Sequence, residues 1–197
     1  FSSKKVEIPK NSNLQTIERN TFSGSVIEII FIPPNVTKIS ENAFFDCSDL
    51  KKVEIPTNSN LQTIERNAFS NSNIEEIYFP KSLIELKEGW SLIQKIDEII
   101  ISPSNKQFIF NEDKYLLGKI NGNTDEFDIL LFVRRDIKEI SISTNIKIIG
   151  SFSFEYSTIK EIFIPPNVTK ICENAFYGCS NLRKVEIPMN SNLQTIE

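Results

Sequence analysis

Residues 34–56 read PNVTKISENAFFDCSDLKKVEIP, and residues 166–188 repeat them as PNVTKICENAFYGCSNLRKVEIP. In the first copy Val53 and Ile55 alternate with the polar Lys52 and Glu54, the pattern of a short strand with one face buried. Pro56 has no N–H to offer a sheet ladder and ends that strand. Val36 and Ile39 mark a second short extended piece. Glu41-Asn42-Ala43-Phe44 then predicts a tight helical or 3-10 turn with Asn42 as its cap, closed by Cys47. The inward set is Val36, Ile39, Ala43, Phe44, Cys47, Leu50, Val53 and Ile55. It returns as Val168, Ile171, Ala175, Phe176, Cys179, Leu182, Val185 and Ile187.

The same strand ending recurs along the chain at Ile8-Pro9, Ile32-Pro33, Ile55-Pro56, Phe79-Pro80, Ile164-Pro165 and Ile187-Pro188, with neighbours 23 or 24 residues apart except across the gap from Pro80 to Pro165. That period is too short for a domain and too long for a coiled coil. It describes one small unit stacked many times, whose apolar face only its neighbours can cover. Each inward position becomes a column of like residues. Phe22, Phe44, Phe69, Phe154 and Phe176 make one such column, and each buried ring is worth about 1.5–3 kcal/mol over an exposed one.

The pattern L-x-x-[IV]-x-I-P, then V-x-x-I, then A-F-x-x-C resembles the BspA-type leucine-rich repeat over essentially the whole chain. The resemblance implies an α/β-type repeat solenoid. It would be right-handed, with a parallel β-sheet on the concave face, short convex strands and helical or 3-10 turns. The expected organisation is a single solenoid over residues 1–197, with about eight repeats of about 23 residues. Proteins of this family are largely surface-exposed or secreted and are associated with adhesion and protein binding. The expected localisation is therefore the cell surface or the extracellular space.

The pattern departs from regularity in two places. Residues 81–102 are degenerate, with Trp90 near the Ala-Phe slot. Residues 104–136 are an insertion, after which Ile137-Lys-Glu-Ile140 resumes the strand motif. Within it, the apolar runs 115–120 and 127–133 flank Asn121-Gly122 and predict a β-hairpin. Both a structural brace and a lip beside a binding face fit such a hairpin. The chain opens on Phe1 and closes on residues 190–197, which begin a repeat as residues 58–65 do. The expectation is a segment of a longer array, cut within a repeat at both ends, whose exposed ends offer a route to self-association.

Composition argues against several functions. Net charge is −4 and no basic, aromatic-interleaved stripe exists, so nucleic acid is not an expected partner. Histidine is absent, which removes the commonest general base and metal ligand. No phosphate loop, metal-spaced cysteine set or paired carboxylate spacing appears, so neither enzymatic activity, a cofactor nor a metal is expected. Cys47 and Cys179 share one repeat position and read as core residues, while Cys172 replaces Ser40. No run is long and apolar enough for membrane insertion in this segment.

Function is then sought on the outward strand positions. Their central row runs Glu7, Phe31, Glu54, Tyr78, Ile100, Ser141, Phe163, Glu186. Phe31, Tyr78, Ile100 and Phe163 are the candidate protein-binding anchors on the concave sheet. The leading expectation is a non-enzymatic binding module of a surface or secreted adhesin-like protein, taking a protein or extracellular-matrix ligand. The alternative is a structural spacer or assembly array. Asn35-Val-Thr37 and Asn167-Val-Thr169 are N-x-T sequons at the same turn of sister repeats, which makes Asn35 and Asn167 candidate glycosylation sites.

Overall fold

Strands form where apolar and polar residues alternate, and a computed structural model describes them over residues 5–90, 92, 96–122 and 124–197. The chain divides into two compact units, Phe1–Lys106 and Gln107–Glu197.

In the first unit the strand motif gives β1 (Lys5–Val6), β3 (Ile29–Phe31), β5 (Lys52–Glu54), β7 (Glu76–Phe79) and β9 (Glu98–Ile101). They pair in that order as a parallel sheet. The second extended piece of each coil gives β2 (Thr16–Ile17), β4 (Lys38–Ile39), β6 (Thr63–Ile64) and β8 (Glu85–Leu86), a second parallel sheet. Like residues fall in register from coil to coil, as in Val53 with Ile77 and Ile39 with Ile64. The period-2 pattern therefore turns Ile30, Val53, Ile77 and Ile99 into the core, where all are buried. The phenylalanine column forms as a stack. Phe22, Phe44 and Phe69 lie at centroid distances of 5.2 and 5.3 Å with rings 9° from parallel. Trp90 takes the Ala slot of its coil. Its carbonyl receives the Phe69 N–H, as the Ala68 carbonyl receives that of Phe44.

The expected helical or 3-10 turns are corrected by the structure: among the described residues there is no helix of either kind. The reason lies in where the backbone donors go. Along residues 42–46 the N–H groups of Ala43 and Phe45 close turns three residues back, on Ser40 and Asn42. The alternate N–H groups of Asn42, Phe44 and Asp46 donate to Arg66, Ala68 and Ser70 of the next coil. A helix would keep all of them within its own segment. Every fourth residue is also left-handed. Asn20, Asn42 and Asn67 have φ of 59, 56 and 55°, and Gly24, Asp46 and Asn71 have 70, 57 and 58°. Such residues interrupt a right-handed helix, and asparagine and glycine tolerate the conformation best. The segment is a ladder of β-turns, in which Asn42 is a left-handed turn residue and not a helix cap.

In the second unit β13 (Ile148–Ile149), β15 (Lys170–Ile171) and β17 (Thr195–Ile196) repeat the second sheet, and β14 (Glu161–Phe163) pairs in parallel with β16 (Lys184–Glu186). Val168, Ile171 and Ala175 are buried, whereas Val185 and Ile187 on the outer strand are 44% and 42% exposed. Phe154 stacks on Phe176 at 4.9 Å. At Gly178 φ is +68°, and an added Cβ would lie 2.4 Å from the Tyr156 ring, so only glycine fits.

The insertion forms more strand than a single hairpin. β10 (Phe108–Asn111), β11 (Tyr115–Gly118) and β12 (Ile129–Val133) run antiparallel, and β12 then pairs in parallel with β13. The two predicted apolar runs do pair. The tight turn, however, falls at Glu112 and Asp113, both left-handed, between β10 and β11. The connection containing Asn121 and Gly122 is longer, and Asn123 within it lies outside the described residues. The buried Asp128 carboxylate organises this connection, accepting the Ile120 N–H at 2.8 Å and facing the Lys147 ammonium at 3.2 Å. Beyond β12, Arg135 and Glu155 are buried as a loose pair, 4.0 Å apart. The Arg135 guanidinium donates to the Val133 and Ser153 carbonyls, while its Nε and the Glu155 Oε2 have no hydrogen-bond partner. Burial depresses the Arg135 pKa to about 10 and raises that of Glu155.

Candidate binding face

Side chains that alternate with the core residues of β3, β5, β7 and β9 face away from it, and the register aligns them in rows. Phe31 stands opposite Glu54, and Tyr78 opposite Ile100. Tyr78 and Ile100 are thus brought together on adjacent strands. Phe31 is separated from them by the β5 strand carrying Glu54. Phe163 lies in the second unit, opposite Glu186. Phe31 and Tyr78 are half-buried, and Ile100 and Phe163 are 37% and 48% exposed.

The parallel row two residues earlier runs Lys5, Ile29, Lys52, Glu76, Glu98, as the register shows. Lysines here pair with glutamates two residues on in the same coil: Lys5 with Glu7 at 2.9 Å, Lys52 with Glu54 at 3.3 Å, and Lys184 with Glu186 at 2.8 Å in the second unit. A hydrogen bond and charge from Lys5 hold the Glu7 carboxyl below its ordinary range, with Lys10 adding to the effect.

A cavity of about 490 Å³ opens at Phe31, lined also by Lys5, Glu7, Ile8, Pro9, Lys10, Glu54, Ile55 and Pro56. The Lys10 ammonium stands over the Phe31 ring, 5.7 Å from its centroid. Lys10 does not belong to the strand pattern, and sequence reasoning passed over it. Its signal was positional: it follows Pro9, one coil before Phe31.

Asn35 and Asn167 are exposed at the same corner of their coils. The Asn35 Nδ2 donates to the Ser12 carbonyl at 2.9 Å, and the Asn167 Nδ2 to that of Thr144 at 2.7 Å. Asn105 and Asn145, which are not in sequons, make the same bond to the preceding coil. The asparagines therefore have a structural role as a corner ladder. A glycosylated amide would keep one N–H for that bond.

The cysteines are free thiols. Cys47 and Cys179 each donate to a phenylalanine carbonyl of the preceding coil at 2.9 Å. Burial pushes the Cys47 thiol up, as suits a packing residue. Among the described residues no group of three or more acidic or cysteine side chains is placed to hold a metal ion, and no helix is long and apolar enough to cross a membrane.

Parallel strands repeated every coil, with short second strands and columns of like residues, define a leucine-rich repeat scaffold. The BspA-type leucine-rich repeat region matches in six copies over residues 1–111 and 119–197, and the chain belongs to that family. It comprises surface or secreted leucine-rich repeat proteins.

Among solved structures, the pneumococcal vaccine antigen PcpA is similar over 93% of this chain and 45% of its own, with 24% identity and a TM-score of 0.83. A leucine-rich repeat protein of Eubacterium ventriosum matches over 90% of this chain and 58% of its own, at 21% identity and a TM-score of 0.60. A leucine-rich cell surface protein of Faecalibacterium prausnitzii matches over 98% and 72%, at 16% identity and a TM-score of 0.58. The chain thus spans about half the length of the first two, and these likenesses concern the fold. No protein of curated function is similar to the chain in sequence.

Proposed function

We propose that this chain is a protein-binding module of a cell-surface or secreted protein, and that the outward face of the β1–β9 sheet makes the contact with a protein or matrix ligand. The observation that carries the reading is the pair Tyr78 and Ile100, side by side on that face, apolar and facing away from the core. Large apolar side chains on the open face of a sheet have no role in its core and suit the centre of an interface. Phe31 extends the face, and Phe163 serves as an anchor in the second unit. The family, made of surface or secreted proteins, supports the localisation.

The test is a Tyr78→Ser/Ile100→Ser variant, immobilised beside the parent and exposed to a panel of purified matrix and cell-surface proteins. Captured ligand should bind the variant at least about tenfold more weakly, the loss of one hot-spot contact or more, with the far-UV spectrum unchanged. Equal capture by parent and variant would remove the sheet face from consideration. Self-association without ligand capture would favour a spacer array.

A further inference from the structure

The cavity at Phe31 differs from the rest of the face. Phe31, Tyr78 and Phe163 are the aromatic residues of the outward row, and among them Phe31 has a cation placed on its ring. At Tyr78 the equivalent residue of the preceding coil is Thr57, which carries no charge. Carboxylates stand on both sides of Phe31. Glu54 is its register partner on β5, and Glu7 follows the paired β1 residues on the other side. An aromatic face between two carboxylates attracts cations, through the ring's quadrupole and by direct charge. Both carboxylates are already paired with lysines two residues earlier in the chain, but those pairs are solvent-exposed and contribute little, so an incoming cation can exchange with them. Ile8, Pro9, Ile55 and Pro56 line the cavity and suit an alkyl stem, and its volume of about 490 Å³ exceeds that of a single side chain.

We propose that this cavity receives a lysine or arginine side chain of a partner polypeptide on the face of Phe31, between Glu7 and Glu54, and that Lys10 is an internal stand-in displaced by it. The inference rests on the protein-binding reading above and gives its partner a chemical character: a basic side chain presented to the β1–β5 end of the sheet. Lys10 lies on the segment after β1, outside the sheet, so its side chain can leave the ring without breaking a strand pair.

The experiment titrates the whole chain with N-acetyl-lysine methylamide, N-acetyl-arginine methylamide and the uncharged N-acetyl-norleucine methylamide, following the Phe31 ring protons by NMR. The two cationic probes should shift those protons saturably, in a manner weakened by salt, and norleucine should not. In Lys10→Ala, with the stand-in gone, affinity for the cationic probes should rise about threefold, on the scale of one exposed cation–π contact. A response to norleucine equal to that of lysine would overturn the proposal, as would unchanged affinity in Lys10→Ala. The outcome is separable from that of the protein-binding reading. If Tyr78→Ser/Ile100→Ser abolishes protein capture while Phe31 ignores the cationic probes, the face binds and the pocket does not. If no protein is captured but the probes bind, only the wider reading fails.

Discussion

Asp46 distinguishes a ladder of β-turns from a helix by the sign of two substitutions. The residue is exposed, so replacing it disturbs little packing, and its φ is 57°. Its N–H donates to the Ser70 carbonyl at 2.9 Å, which ties the conformation to the next coil. Sister coils carry Gly24 and Gly178 in this slot, at φ of 70 and 68°. A left-handed residue with a Cβ is disfavoured by about 1–2 kcal/mol, which aspartate partly relieves by local hydrogen bonding. Asp46→Ala should therefore destabilise the chain by about 1 kcal/mol, and Asp46→Gly should lie within about 0.5 kcal/mol of the parent or above it. A helix reverses the order, because alanine exceeds aspartate by about 0.5 kcal/mol and glycine by about 1 kcal/mol in a helix interior. The assay is urea unfolding followed by far-UV circular dichroism, comparing midpoints at a common slope. An alanine variant more stable than the glycine variant would refute the turn-ladder account.

Phe44→Ala should cost about 3–5 kcal/mol in the same assay, since the ring is fully buried and stacked on both sides, with Phe22→Ala costing less because that ring is only half-buried. Glu155→Leu alone should cost about 3–5 kcal/mol by stranding the buried Arg135 charge, while Arg135→Met/Glu155→Leu should recover most of that, because the present pair is loose and two of its polar atoms are unpartnered; a double variant as unstable as the single would contradict this. The Lys38 ammonium, 2.8 Å away, holds the Glu65 carboxyl below its ordinary value of 4.5. The stability this adds is full above that value and is lost as pH falls through the lower folded value, so Glu65→Gln should lower stability at neutral pH and flatten the acid limb of a stability–pH curve, with variant and parent converging at low pH.

The stacked core was legible because its signal is repeated. Each inward position is sampled in every coil, and an apolar column such as Ile30, Val53, Ile77 and Ile99 survives the degeneracy of any single coil. The turns were misread for the converse reason. Glu41-Asn42-Ala43-Phe44 has local propensities that suit a helix start, and the partners of its alternate N–H groups lie a whole coil away, where no local pattern reports them. The hairpin was placed by Asn121-Gly122, a strong turn signal, yet the tight turn formed at Glu112 and Asp113, whose residue types advertise nothing. Of the candidate face, the rows followed from strand alternation, including Phe31 and Tyr78. The neighbourhood of Lys10 required the register between coils.

In the first unit each interior coil is joined to its neighbours by both sheets and by the turn ladder, and in all three the bonds point along the stack. Tension applied along that direction therefore pulls on these bonds end-on, and the unit should yield by peeling one coil at a time from an end instead of shearing all at once. Each step releases a length of slack chain while the remaining coils hold their shape. A protein anchored at one end and gripping a ligand at the other would so dissipate a sudden load gradually, which is a useful property for anything that must hold on in flow.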